Sequence, residues 1–305
     1  MRLTHLRDLR VETRLAAGHA FLSAASGLAV VDDLVFVIGD DEHHLARFQK
    51  MDAAAGKLLR LLPGNLPRDA KLRKAQKPDF EILLALPAII GLAGHRLLAL
   101  GSGSTDWRNR GLELEINAMG QLHEARMLDL QRLYAEIALL VPEMNLEGAV
   151  VKDDELLLFN RGNMRNPETH ILATKLLNLT TPNSLGPTLR KQLLLPSVDG
   201  VPLSVTDACL LGDGTILLSA VAEATEDSYT DGALVGSAAI LLDERLEILT
   251  IQQFDPSLKV EGISGRRVAA GIEMLCVTDA ELSGGVVETP DGRRGRGRRS
   301  LAGRL

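Results

Sequence analysis

Aromatic residues are scarce in this chain of 305 residues and make up 3% of it. The core must therefore consist mainly of Leu, Val, Ile and Ala, and functions that need aromatic stacking platforms, such as binding single-stranded nucleic acid, are disfavoured. Only two cysteines are present, Cys209 and Cys276, both inside apolar runs. They are predicted to be buried free thiols in a reducing compartment, with one disulfide as the alternative. No apolar run reaches the ~18 residues that a membrane-spanning helix needs.

The net charge of −6 is unevenly distributed along the chain. Residues 293–305 contain six arginines and no acid, so the rest of the chain carries −12. Such an acidic body disfavours nucleic acid as the main partner. The glycine-rich segment 291–305 is predicted to be a disordered tail, with contact to nucleic acid or to a membrane surface as its alternative role. Because Asp8 and Glu12 precede the apolar stretch 15–31, a signal peptide is disfavoured and a cytoplasmic location is predicted.

A unit of about 60 residues is repeated five times. Each copy has a short apolar strand, a tight polar turn, a second apolar strand and a polar loop, and the turns carry hairpin residues such as Asp32-Asp33 and Asp153-Asp154. Aligned on a small residue of the first strand, at 27, 88, 148, 208 and 262, the copies are 61, 60, 60 and 54 residues apart. The predicted first strands are 26–31, 87–91, 146–151, 206–211 and 260–263.

Two more strands follow each hairpin, for example 169–177 and 189–195 in the third copy and 238–243 and 246–251 in the fourth. Four strands per copy, with inner strands that are apolar on both faces, indicate the blades of a propeller. The sequence therefore predicts an all-β fold, a single five-bladed β-propeller over residues 1–290. Tandem β-sandwich domains are the alternative. Helix is scarce, and 128–138 fits a short helix or a strand equally well.

The last copy ends early, after Asp279, whereas the N-terminus has extra strand-like material in 9–15 and 19–23. A propeller ring without exposed edges forms when a strand from one end of the chain completes the blade at the other end. We therefore predict that an N-terminal strand closes the ring.

Acidic residues begin three of the five first strands, at Glu147, Asp207 and Glu261, and Asp279 follows the last second strand. In a hairpin these positions lie at the same end, so their side chains should converge on the mouth of the central channel. Converging carboxylates repel unless a cation compensates them. Hence Glu147, Asp207, Glu261 and Asp279 are predicted ligands of Ca²⁺ or Mg²⁺. Alternatively, each acid accepts hydrogen bonds from backbone N–H groups and positions its blade.

Two polar loops are predicted to lie on the same face. The loop 101–111 contains the only tryptophan and a glycine-rich start that resembles no P-loop but could hold a phosphate through backbone N–H groups. The loop 160–165 occupies the equivalent place in the next copy, and Arg161 is a candidate counter-charge for the acids or a binder of anions. The predicted ligand-binding residues are Ser102, Trp107, Arg108, Arg161, Asn163 and Glu223.

The segments 145–148, 260–262 and 277–279 read Asn-Leu-Glu-Gly, Val-Glu-Gly and Val-Thr-Asp. They resemble bacterial propellers of the phytase-like (esterase-like) and SdiA-regulated kind, and the two polar loops are more similar to an uncharacterised propeller family within that group. The resemblance covers roughly 20–280. It implies a Ca²⁺-dependent phosphoester hydrolase or an esterase, although the first two copies have Ser26-Gly27 and Pro87-Ala88 where Glu-Gly is typical.

The functional prediction is therefore a cytoplasmic propeller that binds a small or phosphorylated ligand at the channel face. A metal-dependent hydrolase is its catalytic form. A non-catalytic scaffold that binds a protein partner is the alternative.

Overall fold

In the computed structural model, residues 1–22, 24–88, 94–181, 186–227, 232–279 and 299–304 are described. Their strands form five antiparallel sheets. Strand β1 (Thr4–Asp8) belongs to the last sheet, and the first sheet follows with β2 (Ala25–Val31), β3 (Leu34–Gly39), β4 (His44–Gln49) and β5 (Lys57–Arg60). The second sheet contains β6 (Phe80–Ala85), β7 (His95–Gly101), β8 (Arg110–Ile116) and β9 (Leu122–Asp129).

The third sheet consists of β10 (Leu146–Lys152), β11 (Glu155–Asn160), β12 (Glu168–Lys175) and β13 (Thr188–Leu194). The fourth has five strands, β14 (Ser197–Val198), β15 (Val201–Leu210), β16 (Ile216–Ala224), β17 (Ala233–Leu242) and β18 (Ile248–Gln253). The fifth combines β19 (Lys259–Val268), β20 (Gly271–Asp279), β21 (Arg299–Arg304) and β1. Two short helices, α1 (Ala70–Gln76) and α2 (Gln131–Ile137), complete the fold.

The inner strands form a ring. Strand β2 contacts β6, β6 contacts β10, β10 contacts β15, β15 contacts β19, and β19 returns to β2. Apolar side chains fill the space between successive sheets, as Phe36 and Leu97 do between the first and second. Strands covered on both faces must be apolar on both faces, which explains runs such as 156–159. The chain is therefore all-β with a β-propeller arrangement, while the blade count stays a prediction.

The predicted first strand of the second copy, 87–91, is wrong. The inner strand is β6, which pairs with β7 from Phe80↔Gly101 to Ala85↔Leu97, and residues 89–93 lie outside the described part. Both 80–85 and 87–91 are short apolar runs, and periodicity alone cannot show which of them is the inner strand. The pairing of 80–85 with β7 identifies it as the strand.

The two chain ends share the fifth sheet. Strand β1 lies at the edge of this sheet, as the N-terminal closure requires, but it pairs with β21 and not directly with β20. The predicted segments 9–15 and 19–23 contribute only isolated bridges, Arg10 with Phe21 and Val11 with Gly56. Strand β21 falls within the predicted tail, so the tail prediction does not hold for Arg299–Arg304. Backbone pairing needs no apolar periodicity, so no apolar pattern in 299–304 predicts this strand.

The segment 128–138 contains the end of β9 and helix α2, in which Leu133, Tyr134 and Ile137 are buried. The hydroxyl group of Tyr134 donates a hydrogen bond to the carbonyl of Gly101 at 2.8 Å, which ties the helix to the inner hairpin of the second sheet. Neither helix of the described chain is long and apolar enough to cross a membrane. Both cysteines are free; Cys276 is buried, whereas Cys209 is partly exposed.

Inner strands approach each other closely at glycine positions. A Cβ atom on Gly27 would lie 2.7 Å from the backbone nitrogen of Leu83, in the next inner strand. We therefore expect Gly27→Ala to lower the free energy of unfolding by about 1–3 kcal/mol, as overpacking does. Gly212→Ala is the matched control, because nothing lies within 4 Å of the added Cβ there. Urea unfolding measures both, and equal effects would contradict the close approach.

Candidate functional site

A β-bulge interrupts the pairing of every inner strand with the second strand of its sheet. The pairing with the second strand shifts at one residue of each, and these residues are Ser26, Glu81, Glu147, Thr206 and Glu261. A bulge leaves one residue unpaired and redirects its side chain. The bulges therefore define the equivalent positions of the five copies, and three of them carry a glutamate. We call the region around these residues the channel mouth.

The glutamates of the channel mouth influence each other. The pKa of Glu147 is raised to about 8: burial is the main cause, Arg161 opposes it, and Glu261 and Asp79 add to the increase. Burial also raises the pKa of Glu81 well above its ordinary value, with added contributions from Glu147 and Asp79. These acids belong to different sheets, so the inner strands bring their side chains together across the ring.

A chain of ion pairs connects the third, fourth and fifth sheets. Arg161 lies between two carboxylates, with Nη1 3.4 Å from Oε1 of Glu147 and Nη2 2.6 Å from Oε2 of Glu223. Lys259 continues the chain, with Nζ 3.4 Å from Oε1 of Glu223 and 3.0 Å from Oε1 of Glu261. Burial alone would raise the pKa of Glu223, but Arg161 and Lys259 outweigh it and lower that pKa. Glu147 and Glu223 share Arg161, yet their pKa values shift in opposite directions.

Three further acids form a group that we call the acid triad: Asp40, Asp79 and Glu81. Their carboxylate oxygens lie within 4.8 Å of one another, and no other set of three or more His, Cys, Asp or Glu residues does so in the described part of the chain. The Nζ atom of Lys77 contacts Asp40 and lies 2.7 Å from Oδ1 of Asp79. Burial would lower the pKa of Lys77, but Asp40, Asp79 and Glu81 hold it well above its ordinary value. A charged ammonium group therefore already contacts two acids of the triad.

The local sequence explains how Lys77 reaches the triad. Helix α1 ends at Gln76, and Lys77 has an extended backbone (ψ 145°) directly before Pro78. A residue before proline is pushed out of the helical region, so the helix stops there and the chain turns toward β6. Asp79 then has a positive φ of 57° immediately before β6 begins.

Of the four predicted metal ligands, Glu147 and Glu261 lie in the ion-pair chain. Asp207 has a different environment: its Oδ1 accepts a hydrogen bond from the N–H of Ala208 and its Oδ2 from the N–H of Ile263, both at 2.8 Å. Asp207 thus connects β15 to β19, as the structural alternative proposed. The side chain of Asp279 lies outside the described residues. Among the described side chains, Glu147, Asp207 and Glu261 do not form one group of metal-ligand spacing, and a metal bound by the four predicted acids stays a prediction.

Among the predicted ligand-binding residues, Arg161 and Glu223 contact each other in the ion-pair chain. Ser102 and Arg108 are buried beside the acid triad, where the Ser102 hydroxyl donates to Asp79 and Nη1 of Arg108 lies 2.9 Å from Oδ2 of Asp79. The loop 101–111 thus supports an acid, which makes it unsuited to hold a phosphate at this point.

Asn163 and Trp107 have other roles. The side-chain oxygen of Asn163 accepts hydrogen bonds from the N–H groups of Arg165 and Asn166, at 2.9 and 2.8 Å, and so organises its own loop. Trp107 is 54% exposed, its indole donates to the carbonyl of Gln76 at 3.3 Å, and the Arg110 guanidinium lies 3.9 Å from its ring centroid.

Sequence reasoning missed Glu81, Asp79, Lys77 and Lys259. Glu81 was missed because the second copy was aligned six residues or more too late. A signal was present: Phe80-Glu81-Ile82 repeats the apolar-Glu pattern of Leu146-Glu147, and a lysine stands two residues before both Asp79 and Glu261.

The fold and the site define a β-propeller with an ionisable channel mouth. The chain belongs to a family of unknown function, DUF6929, whose model matches residues 21–288. No curated protein matches the chain.

Several solved structures are similar in fold. The glutaminyl cyclase of Myxococcus xanthus is 10% identical, with 100% of this chain and 97% of that chain covered and a TM-score of 0.44. An exo-beta-1,3-galactanase from Phanerochaete chrysosporium is 10% identical, with 98% and 64% covered and a TM-score of 0.48. A luciferin-regenerating enzyme is 7% identical, with 92% and 91% covered and a TM-score of 0.45. Identities and scores this low support no inference about activity, and the phytase-like type stays a prediction.

Proposed function

We propose that the protein binds a small, hydroxyl-rich ligand at the channel mouth. The observation that carries the proposal is an excess of acids over bases at the mouth, together with the raised pKa values of Glu81 and Glu147. In the described part of the chain, and apart from Asp207, whose oxygens accept backbone N–H groups, six carboxylates meet four cations there; the acids are Asp40, Asp79, Glu81, Glu147, Glu223 and Glu261, and the cations are Lys77, Arg108, Arg161 and Lys259. With a pKa of about 8, Glu147 is mostly protonated at neutral pH and can donate a hydrogen bond. A hydroxyl group, which donates and accepts, suits such a surface.

A phosphorylated ligand is less well supported. Each of the four cations contacts at least one carboxylate, for example Arg161 with Glu147 and Glu223. A phosphate would have to displace a carboxylate from its cation and would then face the remaining acids. An uncharged or cationic ligand meets neither obstacle.

Hydrolysis is a second candidate function, favoured by the opposite pKa shifts of Glu147 and Glu223. A pair of acids with separated pKa values is the usual arrangement for a general acid and an ionised partner. Ionised Glu223 would accept a proton from the water that attacks the acyl carbon of an ester, and Glu147 would donate a proton to the alcohol oxygen as its bond to that carbon breaks; proton exchange with solvent then restores both acids. Nothing in the described contacts favours the protein-interaction scaffold over these two functions.

Calcium does not fit the channel mouth as the residues stand. Lys77 already contacts Asp40 and Asp79, and the oxygens of Asp207 are occupied by backbone N–H groups. No step of the proposed hydrolysis uses a metal. Calcium binding by the native protein remains a prediction from the sequence, as does a cytoplasmic location.

We also infer that each of the five sheets is one blade. The cyclic contacts of β2, β6, β10, β15 and β19 support this count. A crystal structure with four or six blades would overturn it.

Calorimetric titration tests the ligand. We expect glucose and glucosamine to bind wild-type protein and glucose 6-phosphate to bind at least tenfold more weakly, because the phosphate meets cations that already contact carboxylates, in a region where acids outnumber bases. Glu147→Gln keeps the shape of the protonated acid and should retain binding at pH 6 while losing the change in affinity between pH 6 and pH 9. Glu124→Gln, on the exposed outer strand β9, is the control. Preferential binding of the phosphate would contradict the proposal.

A further inference from the structure

The central channel has a second compartment beyond the bulges. It is a cavity of about 350 Å³, lined by residues 28–30, 83–87, 149–151, 208–210 and 263–265. Each inner strand contributes the residues that follow its bulge, so the cavity lies on the ring axis, toward the hairpin turns. Gly27, Gly148 and Gly262 separate it from the channel mouth. At these glycines an added Cβ would lie 2.6–3.3 Å from atoms of the neighbouring inner strand or hairpin partner.

The side chains of the lining are apolar on all five sides, and polar groups of the backbone are exposed between them. Leu, Val, Ile, Ala and Pro supply nearly all of it, and no charged side chain belongs to the lining in the described chain. The only polar side chains are Cys209 and Ser264. The Cys209 thiol is engaged, because its sulfur accepts a hydrogen bond from the N–H of Gly265 at 3.3 Å. The cavity therefore contrasts with the charged mouth on the same axis.

The size and chemistry of the cavity select its ligand. Ligand pockets in proteins typically enclose ~300–1,000 Å³ and are mostly apolar with a few polar groups. This cavity is at the small end, so it accommodates a single ring or a short alkyl chain. A charged ligand would lose its hydration without gaining a side chain of opposite charge.

We propose that this cavity is a second binding site, which takes a small, uncharged, predominantly apolar molecule with at most one hydroxyl group. It is independent of the ligand proposed for the channel mouth. The partly exposed lining residues Val30, Val151, Cys209 and Leu210 are among those through which such a molecule contacts the protein.

Cys209 makes the proposal directly testable. The chain has two cysteines, and Cys276 is fully buried, so N-ethylmaleimide should modify Cys209 first. We expect phenol or 1-hexanol, at about ten times its Kd, to slow this modification roughly tenfold in the full-length protein. Hexanoate and hexylammonium, the charged probes, should not slow it. Mass spectrometry of the modified peptide gives the rate.

Filling the cavity provides the second measurement. Val151→Trp places a large side chain in the lining, and we expect it to abolish the thermal stabilisation produced by phenol. Leu249→Trp, on the exposed face of β18, is the matched control and should keep that stabilisation. If Val151→Trp fails to fold, the protection of Cys209 from N-ethylmaleimide in the wild-type protein still tests the proposal. Equal protection of Cys209 by charged and uncharged probes, or no protection by any of them, would overturn the proposal.

Discussion

Replacing Arg161 by glutamine is expected to lower the free energy of unfolding by about 3–5 kcal/mol at pH 8, the usual cost of breaking a buried ion pair from one side. Arg161 is the only residue that contacts both Glu147 and Glu223 in the described ion-pair chain. Without it, Glu147 retains only the amide of Asn145, whose Nδ2 donates at 2.7 Å, and Glu223 retains Lys259. Two buried carboxylates are then poorly compensated.

The loss should depend on pH in a defined direction. In the wild type, Glu147 has a raised pKa of about 8, so its contribution to stability is complete below about pH 4.5 and is lost as the pH rises toward 8. Glu223 has a lowered pKa, so its contribution has the opposite sign and is lost as the pH falls. Removing Arg161 raises both pKa values. The variant should therefore approach wild-type stability at pH 5 and fall furthest below it at pH 8.

Urea unfolding followed by circular dichroism at pH 5, 6.5 and 8 measures this dependence. Arg190→Gln is the control, because Arg190 forms an exposed ion pair with Glu155 at 2.7 Å and should cost less than about 1 kcal/mol. The double variant Arg161→Gln with Glu223→Gln should recover part of the loss, since it removes one uncompensated charge. A pH-independent loss would show that Arg161 acts through packing and not through charge.

The sequence predicted the strands best where an apolar run had no competitor. In the third and fourth copies, β12 and β17 lie within five residues of the expected bounds, because their apolar stretches are bounded by polar turns. In the second copy two apolar runs compete, and only pairing with β7 shows that 80–85 is the strand. The same misalignment hid Glu81.

The bulges explain why the site was predicted only in part. Glu147 and Glu261 were found because glutamate and glycine repeat at the same place in both copies. The alignment of the repeats places Asp207 at the position of these two glutamates, but the bulge of the fourth copy falls on Thr206, one residue earlier. A shift of one residue in a strand moves a side chain to the opposite face. Hence Asp207 points into the backbone of β19, and no sequence pattern marks where a bulge occurs.

Lys77→Met should give the other large effect, a loss of about 3–5 kcal/mol in the absence of divalent cations. The buried ammonium of Lys77 contacts Asp40 and Asp79, and Glu81 is close enough to raise its pKa. Methionine keeps the length of the aliphatic chain and removes the charge. The acid triad then has Arg108 as the remaining described cation in contact with it, through Asp79.

Calcium should distinguish the variant from the wild type. Carboxylate oxygens within 4.8 Å of one another are close enough to share a Ca²⁺ ion, whose ligands lie ~2.3–2.6 Å from the metal. We expect Ca²⁺ at about 100 times its Kd to restore roughly 2.7 kcal/mol to Lys77→Met and to leave the wild type unchanged. Thermal and urea unfolding with and without Ca²⁺ measure the difference. Lys175→Met, which breaks an exposed contact with Asp154 at 2.9 Å, is the control and should not respond to Ca²⁺.

The outcomes separate two views of the channel mouth. If Ca²⁺ stabilises the wild type as much as the variant, the ammonium of Lys77 does not occupy the cation position of the triad, and Ca²⁺ binds the native protein, although by other acids than the four predicted from the sequence. If Ca²⁺ stabilises neither, the triad is not a cation site at all. Stabilisation of the variant alone would mean that Lys77 serves as a tethered cation. Because an ammonium compensates one negative charge and not two, the mouth would then hold its surplus carboxylates as protonated acids, which is the state that hydroxyl binding and general acid catalysis both require.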